Sequence, residues 1–231
     1  IDKIEMFSDL IEDFFGYQLP TINSAEELAK ELSKRAKLLK GLCIEQLTKD
    51  FENTKNSQEP SSIYDFYEGI KELIKDISIE DCADAYAQTV TYGLFLAKKS
   101  HQGYLDRQTA SSYIPKTVGI IKRIFLNISG EDFPQNISWI VDEIIDTLNA
   151  TDLDEVLNKI DKRGKKDKDP ILFFYEDFIN YYEPERRKQL GVYYTPRPVV
   201  NFIGNSVHLV LKKHFDKPLG FAEDSVSVLD P

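Results

Sequence analysis

The residue types best suited to chemistry lie near the end of the chain, in residues 190–200, which read LGVYYTPRPVV. A glycine bend is followed by two tyrosines and by Thr195-Pro196, and apolar residues at helical spacing come next. Threonine is a good N-cap, and proline is tolerated at the first helical position. The free N–H groups and the positive dipole end of such a helix start suit a carboxylate or a phosphate. An ordinary capped helix without a ligand is the alternative.

Other residues that often do chemistry show no recognised site pattern. His101, His208 and His214 lack the spacing to nearby carboxylates that a metal site needs. His208 is interpreted as a surface or hydrogen-bonded histidine. The sequence has no phosphate-binding loop with Lys-Ser/Thr and no nucleophile elbow. Cys43 and Cys82 are far apart and are interpreted as core thiols of a protein in a reducing compartment.

The stretches on either side of residues 190–200 also have recognisable sequence patterns, and the three occur in a fixed order. Upstream, residues 169–187 predict an aromatic helix that ends in a turn with two arginines; downstream, residues 225–231 read SVSVLDP and predict a short strand followed by Asp-Pro. This ordered set resembles the opening segment of the methyltransferase domain in amino-methylating DNA methyltransferases of restriction–modification systems. The large single-chain enzymes (type IIG, or type I on one polypeptide) are the most similar. The resemblance is specific over residues 170–231 and diffuse over residues 1–150.

The resemblance implies a cofactor, a substrate and a set of contacts. Enzymes of this family transfer a methyl group from S-adenosylmethionine to the exocyclic amine of adenine, or less often cytosine, after the base leaves the duplex stack. Tyr194, Thr195 and Pro196 match the motif that lines the methionine end of the cofactor, where a carboxylate suits the helix start and a sulfonium suits an aromatic face. Tyr193 and Tyr194 point opposite ways in an extended run, so one of them makes this contact, and Tyr194 is favoured. Asp230 lies where the glycine-rich cofactor loop of the family begins.

The chemical step itself is not expected from these 231 residues. The catalytic motif of the family is Asn or Asp followed by Pro-Pro and an aromatic residue. The sequence lacks it, and residues 169–172 (DPIL) do not match it. The glycine-rich loop expected after Asp230 is missing too, and the first residue is Ile1 rather than methionine. The sequence is therefore interpreted as part of a parent enzyme, without methylation activity of its own.

The charge balance limits how the chain can meet DNA. The net charge is −10 and the pI is about 4.9, whereas a surface that binds duplex DNA is usually basic. The chain as a whole is therefore not expected to be the main DNA clamp of the parent enzyme. Weak candidates for local phosphate contact are Lys165 and Lys166, and Arg186 and Arg187. The alternatives are a solvated loop for the lysines and carboxylate pairing for the arginines.

The rest of the sequence predicts the helices that position this segment. Apolar residues recur at helical spacing from a first helix over residues 1–15 to about residue 160, and no stretch alternates over a strand length. Ser24 and Glu27 have capping-box spacing, and Ser78 is a further N-cap. The predicted fold is mostly α. It consists of a multi-helix bundle followed by the first helix and the first strand of a truncated Rossmann-like methyltransferase domain.

The predicted organisation has three parts. A helical bundle covers residues 1–162, a basic linker covers 163–169, and the opening segment of the methyltransferase domain covers 170–231. The helix over residues 79–100 is apolar on more than one side and is expected near the centre of the bundle. The sequence shows no apolar run long enough to span a membrane and no signal peptide, so a cytoplasmic protein without a membrane partner is expected.

Three hypotheses about function follow. The first is an enzyme segment, namely the helical domain and opening segment of a DNA methyltransferase that binds DNA. The second is a helical coupler between the methylase part and a nuclease or motor domain in the same chain. The third is a free-standing helical interaction protein, which the Asp-Pro end of the sequence argues against.

Overall fold

In the computed structural model of the protein, the described residues are 22–114, 119–162, 170–184 and 197–229, together with Phe7 and Thr195. These residues form helices and turns and contain no strand. The prediction of a mostly helical chain is confirmed for them, and the predicted helix over residues 1–15 lies outside them except for Phe7. The α-helices of the described ranges are α1 (Ala25–Lys55), α2 (Ser62–Leu73), α3 (Ile79–Ser100), α4 (Arg107–Ser112), α5 (Gly119–Ser129), α6 (Gln135–Asn149), α7 (Leu153–Lys162), α8 (Pro170–Tyr182) and α9 (Arg197–His214).

The start of α1 uses the predicted capping residues in a slightly altered arrangement. Ser24 Oγ accepts a hydrogen bond from the backbone N–H of Glu27 at 3.2 Å. The Glu27 carboxylate reaches back to the N–H of Asn23 at 2.9 Å, one residue earlier than in a standard capping box. Ser78 Oγ caps α3 in the same way, because it accepts from the N–H of Asp81 at 3.0 Å. The serine positions in the sequence therefore identified both helix starts.

The end of α1 lies further along the chain than the sequence predicts. The pattern predicts an end near Asp50, whereas the helix continues to Lys55. Asp50 is fully buried and accepts hydrogen bonds from Ser61 N–H at 3.0 Å, from Ser61 Oγ at 2.5 Å and from Gln46 Nε2 at 3.0 Å. The Asp50 carboxylate links α1 to the start of α2 and is fully hydrogen-bonded in the interior. Asp50 therefore lies within α1 and not at its end.

Helices α1 and α3 form the centre of the bundle. α1 contacts α2, α3, α6, α7 and α8, and α3 contacts α2, α4, α5, α6 and α7 as well. The central position expected for α3 is confirmed. Burial of apolar side chains of this size stabilises the fold by roughly 1.5–3 kcal/mol per residue. The largest fully buried side chains in this core belong to Tyr86, Tyr182, Phe95, Phe125, Phe174 and Phe178.

The chain divides into two compact units, residues 1–184 and residues 185–231. α8 belongs to the first unit, since it packs along α1 and buries Phe174, Phe178 and Tyr182 in the bundle core. The sequence predicts that α8 is part of the opening segment of a methyltransferase domain, residues 170–231. Packing instead places α8 with the helices that precede it, while the three-part domain organisation stays a prediction.

The two cysteines are buried free thiols, as the sequence predicts. Burial raises the pKa of Cys82 to about 11, and burial together with the nearby Cys82 raises the pKa of Cys43 further still. Because the thiolate is the reactive form, we expect iodoacetamide to label Cys82 of the native chain at least about a hundredfold more slowly than in denaturant. Mass spectrometry of a timed labelling series measures this ratio. Labelling of the native chain at the denatured rate would contradict the buried placement.

Tyr86 is one of three described residues with a buried polar side-chain atom that lacks a hydrogen-bond partner, together with Arg35 and Thr91. Its ring is fully buried against Phe66 at a centroid distance of 5.1 Å, and its hydroxyl has no hydrogen-bond partner among the described residues. Burial raises the pKa of Tyr86 well above its ordinary value, so the hydroxyl stays neutral. An unpaired buried hydroxyl costs free energy, so we expect Tyr86→Phe to stabilise the chain by about 1 kcal/mol in urea unfolding.

The same substitution at Tyr182 is the matched control for Tyr86→Phe. The Tyr182 hydroxyl donates to Asp84 Oδ1 at 2.7 Å in a buried site, so Tyr182→Phe is expected to destabilise the chain by about 1–2 kcal/mol. If both variants destabilised the chain equally, Tyr86 would have a partner after all.

Candidate functional site

The predicted cofactor segment lies mostly outside the described residues. Tyr193, Tyr194, Pro196 and Asp230 are all in this category, and their roles stay predictions. Thr195 is described and is exposed. The helix after it, α9, begins at Arg197, directly after the Thr-Pro signal in the sequence. An exposed threonine just before a helix start is compatible with the proposed contact to the methionine end of the cofactor.

The candidate DNA contacts also fall outside the described residues. This holds for Lys165 and Lys166 in the predicted linker and for Arg186 and Arg187 in the turn after α8. The proposed contacts of these side chains with phosphate, and the alternatives of solvent and carboxylates, stay predictions.

Helix α9 has one broad apolar face, and this face is exposed. At 100° per residue its apolar side chains fall on one side together with Ser206 and Lys213, while Asn201, Asn205, His208 and Lys212 fall on the other. Phe202 is 71% exposed, and every described residue of this unit except Gly220 is at least partly exposed. A helix with such a face normally packs against apolar surface. The exposed apolar residues of α9 are Val199, Val200, Phe202, Ile203, Val207, Leu209 and Val210.

The turn that follows α9 contacts His208 on the polar face of the helix. Phe221 N–H donates to His208 Nδ1 at 3.4 Å, and the two rings lie 5.9 Å apart. Gly220 has φ +60° at this point, and a Cβ there would come within 2.2 Å of His208 Cε1. The hydrogen-bonded reading of His208 is therefore confirmed. The turn contacts the polar side of α9, and the apolar side is exposed.

The predicted first strand is not formed in the described residues. Asp224 and Ser225 form a turn, and residues 226–229 have no regular structure. Leu229 is 88% exposed. A strand is stable only beside another strand that completes its hydrogen bonds. Residues 226–229 have no such neighbour in the described parts of the chain. Their alternating apolar pattern alone therefore does not produce a strand.

The most highly organised polar site in the first unit is one that sequence reasoning missed. Asp84, on α3, is 4% exposed and receives the Tyr182 hydroxyl at 2.7 Å, Gln88 Nε2 at 2.8 Å and Lys40 Nζ at 2.8 Å. Lys40 also pairs with Glu183 at 2.9 Å. These contacts join α1, α3 and the end of α8. One sequence signal pointed to it, namely a lone acid in the stretch CADAYA, where apolar neighbours predict burial.

The protonation of this cluster suits a structural role. Burial lowers the pKa of Lys40, but the bonds to Asp84 and Glu183 outweigh burial and raise that pKa above its ordinary value. Burial and then the bond to Asp84 raise the pKa of Tyr182 far above its ordinary value. Lysine and tyrosine both keep their protons near neutral pH, so neither is a base. The cluster holds three helices together.

The described residues contain neither a metal-binding group nor a membrane-spanning helix. They contain no group of three histidine, cysteine, aspartate or glutamate side chains arranged to hold a metal ion. Within the same ranges, every helix is too short or too polar to cross a bilayer.

Comparison with known proteins adds no family assignment. No family model, no curated protein and no solved structure matches the chain. The observations that bear on function are therefore the order of the motifs and the geometry of the described residues.

Proposed function

We propose that these residues are the N-terminal helical part of a site-specific DNA methyltransferase of a restriction–modification or phage-defence system. The parent enzyme transfers a methyl group from S-adenosylmethionine to the exocyclic amine of adenine in DNA. One observation carries the proposal: the aromatic helix, the double arginine, the Gly-Val-Tyr-Tyr-Thr-Pro segment and Val-Leu-Asp-Pro occur in that order within residues 170–231. The parent is proposed to be cytoplasmic, where its DNA lies.

The structure of α9 supports this proposal in two ways. The helix begins directly after Thr195-Pro196, so its first N–H groups follow the residues proposed to line the cofactor. Its broad exposed apolar face suits packing against a sheet, which is how helices cover the faces of doubly wound domains. The proposed strand at residues 226–230 would be part of that sheet.

Each proposed cofactor contact has a physical reason. Thr195 and the start of α9 would hold the carboxylate of the methionine moiety, and Tyr194 would lie against the sulfonium. Pro196 fixes the backbone at the helix start without losing a needed donor, and Asp230 would orient the loop that follows. The cofactor supplies the methyl group; Lys165, Lys166, Arg186 and Arg187 remain candidate contacts to the DNA backbone.

Cofactor binding tests the assignment of Thr195. We expect the protein from the complete reading frame to bind S-adenosylmethionine in calorimetry, and Thr195→Val to weaken binding about tenfold, which equals about 1.4 kcal/mol. Thr48→Val is the matched control, because Thr48 is exposed on α1 and bonds only the carbonyl of Ile44. Equal affinity in all three proteins would remove Thr195 from the site, and no binding at all would remove the enzyme proposal.

A second candidate function is a helical coupler between the methylase part and a nuclease or motor domain. The observation that favours it is the separate core of residues 1–184, in which α8 is joined to α1 and α3 through Asp84 and Lys40. A helical unit packed in this way suits transmission between domains. Both functions can hold together, because one describes the parent and the other describes this part of it.

A further inference from the structure

A groove of about 550 Å³ lies between α2 and α5. The two helices are joined at one end, where Asn127 Nδ2 donates to the Ser62 carbonyl at 2.6 Å and Ser62 Oγ donates to Asn127 Oδ1 at 3.1 Å. Further along α2, Gly69 has no side chain, and only Arg123 comes within 4 Å of where its Cβ would be. The missing side chain leaves an open channel between the helices.

The apolar part of the groove is formed by three side chains, Phe66, Leu73 and Leu126. Phe66 forms the floor and is almost fully buried, while Leu73 is 74% exposed and Leu126 is 55% exposed. Exposed leucines beside an aromatic floor are typical of grooves that receive the apolar face of a helix. Ile74, directly after α2, extends the same exposed apolar surface.

Charged groups are arranged around this apolar floor. Asp65 and Glu72 also line the groove and lie seven residues apart on α2, which places them about 10 Å apart along the helix. Arg123 lies between them, opposite Gly69. Within the described ranges, none of these three side chains takes part in a hydrogen bond or an ion pair. The groove therefore has an unpaired acid towards each end and one cation at its middle.

We propose that this groove docks an amphipathic helix of a partner protein, with leucine-like side chains facing Phe66 and a basic residue at each end facing Asp65 and Glu72. The charge pattern selects this occupant. A basic residue at the middle of the partner helix would meet Arg123, so the basic residues must flank the apolar row. The groove is formed by α2 and α5 of the first unit, and the proposed docking does not depend on the methyltransferase proposal.

A charge-swap experiment on the full 231-residue chain tests the docking site. The probe is a stapled helical peptide with leucines at i, i+3, i+4 and i+7 and a lysine at each end; its matched partner has glutamate in place of both lysines. We expect fluorescence anisotropy to show tighter binding of the lysine peptide. The double variant Asp65→Lys/Glu72→Lys should lose at least about tenfold in affinity for it and should prefer the glutamate peptide.

Two further variants make the result specific. Leu126→Ser should also weaken binding of the lysine peptide, whereas Glu45→Lys makes the same kind of charge change at an exposed site on α1 and should have little effect. Unchanged thermal unfolding checks that each variant is folded. Equal binding of both peptides, or equal loss with Glu45→Lys, would overturn the proposal. So would a dimer of the free chain that Leu73→Ser dissociates in sedimentation, because a second copy would then occupy the groove.

Discussion

Replacing Asp84 with alanine is expected to lower the free energy of unfolding by about 3 kcal/mol. The substitution leaves the Tyr182 hydroxyl and Gln88 Nε2 without their acceptor in the interior, and it removes one of the two carboxylates that hold Lys40. Lys40 keeps its pair with Glu183 and some contact with water, so the loss should lie at the lower end for buried ion pairs. Urea unfolding followed by circular dichroism measures it.

The exposed ion pair of Lys34 with Glu31 provides the control. Its two atoms lie 2.6 Å apart on successive turns of α1, yet Lys34 is largely exposed. Lys34→Ala should therefore change stability by no more than about 0.5 kcal/mol. A loss below about 1 kcal/mol for Asp84→Ala would mean that the buried cluster contributes no more than a surface pair.

Phe174→Ala should cost about 3–5 kcal/mol, which is the usual loss for removing a buried aromatic ring. Phe174 is 1% exposed and stacks on Phe95 of α3 with 4.0 Å between the ring centroids. The cavity would lie between α8 and the central helices, so the loss should appear as cooperative unfolding of the first unit. Amide exchange should accordingly rise in α1 and α3 as well as in α8.

Leu172→Ala on the same helix is the matched control, because Leu172 is 39% exposed. It should cost less than about 1 kcal/mol. If Phe174→Ala increased exchange in α8 alone, that helix would be an attached segment and not part of the bundle core. The predicted grouping of α8 with residues 170–231 would then be the better description.

The helices of the first unit were largely predictable, because their signals are local. Ser24 and Ser78 cap α1 and α3 in the structure as their spacing predicts. Pro170 begins α8, and a glycine, Gly130, follows the last residue of α5. A cap needs only neighbouring residues to form, so the sequence contains the whole of its physical cause.

Features that depend on distant partners were not predictable in the same way. Asp84 finds Tyr182 and Lys40 on two other helices, and sequence spacing gives no sign of either partner. The alternation at residues 225–230 predicted a strand, yet a strand also needs a neighbour, which the described residues do not supply. Likewise, the helical pattern of α9 was predicted, whereas the turn that covers His208 was not, since it depends on Gly220 at positive φ.

Among the predicted cofactor-binding residues, the structure describes Thr195 alone. Thr195 is described, is exposed and precedes α9. The roles of Tyr193, Tyr194, Pro196 and Asp230 still depend on the order of the motifs alone. The order of the motifs is a local sequence pattern, and its meaning comes from a resemblance. Methyl transfer to DNA therefore tests the proposed function more directly than further distances and contacts would.

The measurement that tests the central proposal most directly is methyl transfer to DNA. The protein from the complete reading frame is incubated with unmethylated DNA and S-adenosylmethionine labelled on the methyl group, beside the 231-residue chain alone. The proposal predicts labelled N6-methyladenine at a defined site with the complete protein and none with the chain alone. Absence of label from DNA with the complete protein, or methylation by the chain alone, would contradict it.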